Sequence, residues 1–495
     1  MRFKYIALLG LTVSSSLLSC TLGNYTPNKY YSLYTYGDYH ANSIMNTGAC
    51  PVSGVSKVLV VPIWFTDSGD FIDLDKKESV RNDIEKAYFG TEEESGWHSV
   101  SSYYDLDSFG KVHIDGVVTP WYEIDKASTY YYKDYEEGDT EGRTEALLKN
   151  SVKWYKNLIG DTALKDFDAD SNGYLDGVVL IYAAPDSSNL PGVDASNLWG
   201  YTSWLTNTLP NYIKPSIKNF FWASYDFMYD EDTAEIRTGN SYHRGDNSHN
   251  NIDAHCFIHE MGHCFGLPDF YDYRYANSFA GGFSMQDSNV GAHDAFSRYS
   301  LGWVSPYNVT NSCKIKVGAM EQTGECVLLA PSFTKTCFDE YILIELYTPE
   351  RLNEIDAKYA YRGNYPSGLL KPAARFWHVD ARLLKYTSRG SYQGVTTDAS
   401  EPYLYPATNN DTDSQQSINP AYHVLTLLRN DVYASYEYGS DVVESDLFYE
   451  GDTFSLNKFS NQFARKTKFN NGKHFTWSVK IEELNSEYMV LNITK

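Results

Sequence analysis

An unbroken apolar run, Val58-Leu59-Val60-Val61-Pro62-Ile63-Trp64-Phe65, predicts a strand buried on both faces, and the folded part of the chain is expected to begin near residue 56. Val80, Ile84, Ala87 and Tyr88 then recur at helical spacing. A Ser-rich aromatic helix is predicted over His98 to Tyr104, leading into a strand over Val112 to Val118. From Glu145 to Leu158 the helical period returns, with Leu148, Val152 and Tyr155 on one side, and a second buried strand follows over Gly177 to Tyr182. Strands alternating with helices before residue 300 predict a layered α/β unit. After Trp303 the pattern changes to short strands at Cys326 to Leu329, Tyr341 to Leu346, Ala374 to Val379, His423 to Leu428 and Tyr488 to Ile493. The expected architecture is an α/β domain over residues 56–305 followed by a β-rich domain over 306–495.

The residues ahead of the first strand carry an address. Arg2 and Lys4 precede an apolar stretch from Ile6 to Leu18, which predicts an export signal over residues 1–19 that is too short to span a bilayer. Leu17-Leu18-Ser19-Cys20 is similar to a bacterial lipobox, which implies a lipid on the Cys20 sulfur and a place on the cell surface. The alternative is an ordinary signal peptide and a secreted protein. Residues 20–55, rich in Tyr, Asn, Ser and Gly, read as a tether or an extended wrap.

Composition narrows the partners. Lys and Arg number 41 against 64 Asp and Glu, a formal charge of −23, which repels phosphate backbones and anionic headgroups. Nucleic acid is excluded as an expected partner, and any membrane attachment rests on lipid rather than on basic residues. The 43 tyrosines include Tyr30-Tyr31 and Tyr130-Tyr131-Tyr132, to which no role is assigned. Six cysteines remain beyond Cys20, and Cys313 and Cys326 are spaced to staple a hairpin. Cys50 is expected to be a disulfide partner or an inert thiol rather than a latch on a metal.

The sharpest chemical signal is His259-Glu260-Met261-Gly262-His263. Two histidines four apart on a helix lie within about 40° of one face, so both imidazoles can grip one zinc ion while Glu260 points near its water. Such a site polarises a carbonyl and acidifies water, with Glu260 as the general base. Gly266 is placed to stop the helix and Pro268 to prevent its resumption, so the chain can turn back and offer Asp269 as the third ligand. The rival third ligand is Asp294. Downstream, Gly281-Gly282-Phe283-Ser284-Met285 suits a tight turn that sets Met285 beneath the metal, as in metzincins.

A second ion site is legible in Asp168-Ala169-Asp170-Ser171-Asn172-Gly173-Tyr174-Leu175-Asp176. Asp168, Asp170 and Asn172, the carbonyl of Tyr174, and Asp176 match the start of a calcium loop, although Val179 stands where a bidentate Glu is usual. Either another segment completes the shell, or the loop is an Asx-rich turn before a strand.

Together these residues resemble the M6 peptidases, the group of immune inhibitor A. The resemblance extends to Ser101-Ser102-Tyr103-Tyr104-Asp105-Leu106-Asp107-Ser108-Phe109-Gly110-Lys111, to the Asp168 loop entering Gly177-Val178-Val179, to His259 through Asp272, and to Leu301-Gly302-Trp303. Into the second half it continues through Glu340 to Glu345, Gly368-Leu369-Leu370 and Trp377-His378-Val379-Asp380. It implies a metzincin-like fold, with His259, His263 and Asp269 as zinc ligands, Glu260 as the catalytic residue, and a protein or peptide substrate. Tyr271, Tyr273, His255 and His293 stay open as transition-state stabilisers. An exported zinc endopeptidase is therefore expected. The alternative is a catalytically silent surface adhesion or binding lipoprotein on the same scaffold, against which the retained Glu260 argues.

Overall fold

The computed structural model describes residues 25–36, 50–92, 94–95, 97–136, 139, 141–190, 192–205, 208–229, 252–273, 277–358, 365–410 and 423–495. The export signal and Cys20 lie outside the described residues. Among those described, no helix is long and apolar enough to cross a membrane.

The first half is built on one sheet. Strand β1 (Gly54–Trp64) lies between β2 (Val112–Val118) and β3 (Gly177–Tyr182), and β3 is followed by β5 (Asn219–Ser224) and the edge strand β4 (Tyr201–Trp204). All pair in parallel except β4, which runs antiparallel to β5. The parallel centre explains the continuous apolar run, because helices cover both faces. Val58 and Val60 face a layer formed by α1 (Lys77–Phe89), α2 (Val100–Asp107) and α4 (His255–Cys264), whereas Leu59, Val61 and Ile63 face α3 (Arg143–Ile159). In α1 the buried set is Val80, Ile84, Ala87 and Tyr88, the same four residues whose spacing predicts the helix. The expected helix over His98 to Tyr104 begins instead at Val100. The Ser99 hydroxyl accepts the backbone N–H of Ser102, a cap that fixes where the first turn starts.

After α5 (Ala295–Ser300) the chain is dominated by strands. β7 (Cys326–Leu329), β8 (Glu340–Tyr347), β9 (Ala373–Asp380) and β10 (Leu425–Leu428) pair antiparallel in that order. β6 (Cys313–Gly318) joins a second sheet of order β11 (Thr453–Ser455), β12 (Ser478–Leu484), β13 (Tyr488–Thr494), β6. Cys313 and Cys326 therefore do not staple a hairpin. They belong to different sheets, because β6 pairs with β13 and β7 with β8, and the described cysteines are all buried with no disulfide among them.

The two halves share interior. Leu328, Leu343 and Trp377, on one face of the β7–β10 sheet, belong to the same apolar cluster as Phe257 and Met261 of α4, while Val327, Ile342 and Phe376 on the other face pack with β6 and β13. The segment ahead of β1 is also fastened down: Asn28 and Lys29 pair with Asn308 and Tyr307, and Tyr36 is buried. At the junction Arg298 is fully buried between Asp107 and Glu321, at 2.7 and 2.8 Å, so α2 and α5 are joined by charges that satisfy one another.

Candidate active site

Helix α4 carries His259, Glu260 and His263, and its end is fixed by backbone chemistry. Gly266 has a φ of +100°, which favours glycine. With that turn made, the Gly266 N–H donates to the His263 carbonyl and the Leu267 N–H to the Gly262 carbonyl. This pairing is a Schellman stop. The chain then folds back over the helix and carries Asp269 to the imidazoles. Asp269 Oδ1 lies 3.0 Å from His259 Nε2 and 3.2 Å from His263 Nε2.

Both imidazoles are aimed by their other nitrogen. His259 Nδ1 donates to the Met285 carbonyl at 2.7 Å, and His263 Nδ1 to the Leu267 carbonyl at 2.7 Å. A carbonyl only accepts, so each Nδ1 holds a proton, and each Nε2 becomes a ligand once it gives up the proton it shares with Asp269. The Met285 residue expected beneath the metal thus acts here through its main chain, on a turn where Gly281 and Gly282 have φ of +87° and +79°. Burial disfavours ionised Asp269, but the charge of His263 and hydrogen bonds from both imidazoles outweigh it and hold its carboxyl well below the usual range.

The donor set fits zinc. Two ligands about 2.0–2.2 Å from a tetrahedral ion stand roughly 3.3 Å apart, close to the observed imidazole–carboxylate spacings. His259, Glu260 and His263 also bring ligand atoms within 4.8 Å of one another. Asp294, the rival third ligand, is occupied elsewhere. It is the N-cap of α5, accepting the N–H groups of Phe296 and Ser297 and the hydroxyls of Ser284 and Ser297.

Glu260 is held by a residue from another element. The Thr202 hydroxyl, on β4, is 2.9 Å from Glu260 Oε2. Nothing in the sequence points to Thr202, which precedes the motif by 58 positions. Of the four open candidates for transition-state stabilisation, His255 and His293 are fully buried and engaged away from the site, with Asp253 and Asp356 and with Asp107 and Gln286 respectively. Tyr271 and Tyr273 remain beside Asp269, and the Tyr273 hydroxyl donates to Asp269 Oδ2.

These groups floor a cleft of about 540 Å³. β4 forms one wall through Tyr201, Thr202 and Trp204, and Tyr405, Pro406, Thr408 and Asn410 form another from the second half of the chain. That wall is anchored by Asn409, whose side-chain amide donates to the Phe270 and Leu425 carbonyls at 2.8 Å.

The Asp168 loop is a separate cluster. Asp168, Asp170 and Asp176 bring carboxylate oxygens within 4.8 Å of one another. Asn172 is turned inward on the loop, its side-chain oxygen accepting the Tyr174 N–H at 2.8 Å and its amide donating to Asp170. Burial pushes the Asp176 carboxyl up to about 8, opposed by the Lys57 N–H and reinforced by Asp170 and Asp168.

Residues 55–186 match the profile of the immune inhibitor A peptidase M6 catalytic domain. That span holds β1 to β3 and the Asp168 loop and ends before His259. No curated protein matches the chain. Among solved structures, metalloproteinase-II from Bacteroides fragilis is similar at 10% identity and a TM-score of 0.17, with 46% of this chain and 51% of that chain covered. The match thus spans about half the length of that metalloproteinase. Over residues 55–186 the chain is thus similar to the catalytic domain of the M6, or immune inhibitor A, peptidases.

Proposed function

We propose that the chain is a zinc-dependent endopeptidase with a metzincin-like catalytic half, exported, held at the cell surface by lipid on Cys20, and acting on extracellular protein. The observation that carries this reading is the convergence of His259 Nε2 and His263 Nε2 on one oxygen of Asp269, beside Glu260, at the floor of an open cleft. His259, His263 and Asp269 would hold the ion, which when bound supplies Lewis-acid polarisation and acidified water.

The remaining steps belong to side chains of this protein. An extended peptide lies along the edge strand β4, whose Tyr201, Thr202 and Trp204 line the cleft. The Glu260 carboxylate, steadied by Thr202, takes the proton of the attacking water and returns it to the leaving amine. Casein cleavage tests this reading. It is expected from the wild type, blocked by a chelator, and lost in Glu260→Ala. Cleavage by neither protein would favour the silent binding lipoprotein instead, and equal cleavage by both would remove Glu260 from the chemistry and overturn this mechanism.

A calcium role for Asp168, Asp170, Asn172, the Tyr174 carbonyl and Asp176 is part of the same proposal. Its support is the three-carboxylate cluster, since oxygen-rich loops of this kind suit a hard divalent cation.

A further inference from the structure

A second lobe of the cleft, about 490 Å³, opens from His259 and Glu260 on the side of Cys256, Ser278 and Asp287. Its walls include Asp272, Asp287 and Asp441, and none of the described residues lining it is a lysine or arginine. Asp287 is 3% exposed. Its Oδ2 accepts the Gly282 N–H at 2.6 Å, whereas its Oδ1 is buried without a hydrogen-bond partner. Leaving such an atom without a partner is unfavourable, more so when it carries charge, so it marks a place where a donor is missing. Burial, countered by the Gly282 hydrogen bond and reinforced by Asp441, Asp294 and Asp269, pushes the Asp287 carboxyl up to about 7, and a cation beside it would restore the ionised form.

A bare metal ion is not the ligand these groups fit. The described carboxylates and imidazoles close enough to share one ion are the His259 and Asp168 clusters, and Asp287 is in neither. The spread suits an elongated organic cation whose apolar stem passes Trp199, Phe227 and Tyr365 on the way to the carboxylates. We propose that this lobe is the subsite for a lysine or arginine side chain flanking the scissile bond, with buried Asp287 at its floor and exposed Asp441 at its rim. The inference rests on the endopeptidase reading above and gives it a substrate class: basic segments of proteins. The net charge of −23 acts in the same direction by drawing cationic chains toward the cleft.

The test uses the zinc-loaded full chain on a proteome-derived peptide library, then on a peptide pair differing only in arginine or citrulline at the selected position. Lys and Arg are expected to be enriched at one fixed position beside the cleaved bond. Asp287→Asn should lower kcat/KM for the arginine peptide by about tenfold while the citrulline peptide stays within about twofold, and the exposed Asp441→Asn should act in the same direction by about threefold. Cleavage without basic preference, or variants that slow both peptides equally, overturns the subsite and leaves the endopeptidase standing. If the wild type cleaves no peptide, the endopeptidase reading falls and the subsite with it.

Discussion

The Thr202 hydroxyl lies 2.9 Å from both the backbone carbonyl and Oε2 of Glu260, tying the edge strand of the sheet to the helix that carries the proposed base. The contact fixes the carboxylate beside the imidazoles before substrate arrives. Thr202→Val removes the donor while keeping the shape. It should lower kcat by about tenfold, or about 1.4 kcal/mol of barrier, with KM little changed, and Thr202→Ser should restore most of the loss. Steady-state kinetics on one peptide decide this; a valine variant with full kcat would remove Thr202 from the machinery.

Asp269 and Asp294 make opposite predictions. Asp269→Ala should lose zinc, since its oxygen stands at both imidazoles, and should melt close to the metal-free wild type. Asp294→Ala should keep zinc and lose stability. It removes an N-cap worth about 0.5–2 kcal/mol and leaves the buried Ser284 and Ser297 hydroxyls short of an acceptor, at about 1 kcal/mol or more each. Zinc content per chain and thermal melting separate the two, and zinc loss from the Asp294 variant alone would reverse the ligand assignment.

Much of this site is local and therefore legible in the sequence. The His259–His263 spacing, the stop at Gly266 and the return of Asp269 span eleven residues, strands β1 and β3 announce themselves as apolar runs, and β2 opens with an alternation of apolar and polar residues. Thr202, the carbonyl of Met285, Asp287 and the Tyr405–Asn410 wall reach the site only through tertiary folding, and no periodicity encodes that. Asn219–Ser224 was open to recognition as a short apolar run, whereas Tyr201–Trp204 is four half-buried or exposed residues and carries no such signal. The cysteine spacing misleads for a related reason: a hairpin staple assumes that neighbours in sequence pair, and β6 pairs instead with β13, from the far end of the chain.

The thiols follow from that topology. Cys50, Cys256, Cys264, Cys313, Cys326 and Cys337 are all buried with no disulfide among them, and burial pushes the Cys313 thiol up to about 11. Native protein should react slowly or not at all with a thiol reagent. Denatured without reductant, it should release six equivalents from these positions. A shortfall of two would mean that a disulfide forms where the structure has none.

If the Asp168 loop takes calcium, the ion should stabilise the fold by mass action, by about 2.7 kcal/mol at a hundredfold excess over Kd. Millimolar calcium is expected to raise the melting temperature of the wild type and leave Asp176→Asn unmoved, because Asp176 is the most buried member of the cluster and also accepts the Lys57 N–H from β1. Magnesium should be the weaker ligand, since it tolerates irregular oxygen shells poorly. An unchanged wild-type melting curve would reduce the loop to an Asx turn.

His255 makes the pH dependence calculable. Its ring is fully buried, stacked on Trp97 at 3.9 Å, with Asp253 on Nδ1 and Asp356 on Nε2. Burial alone would lower its pKa, but the two aspartates outweigh it and raise the group from 6.5 to about 9. His98 nearby is pushed down to about 4 by burial and by the charges of His255 and Arg351, so at neutral pH it is the neutral member of the pair. A base whose folded pKa is raised binds its proton more tightly when folded. Its contribution is therefore complete below pH 6.5 and is lost as pH climbs through 9. The span corresponds to a quantity on the order of 3 kcal/mol. Between pH 6 and 9.5 the wild type should lose stability along that curve. His255→Gln, less stable throughout, should be flatter by that amount. Parallel curves for the two proteins would mean that His255 is neutral when folded and that the aspartates carry the charge unpaired.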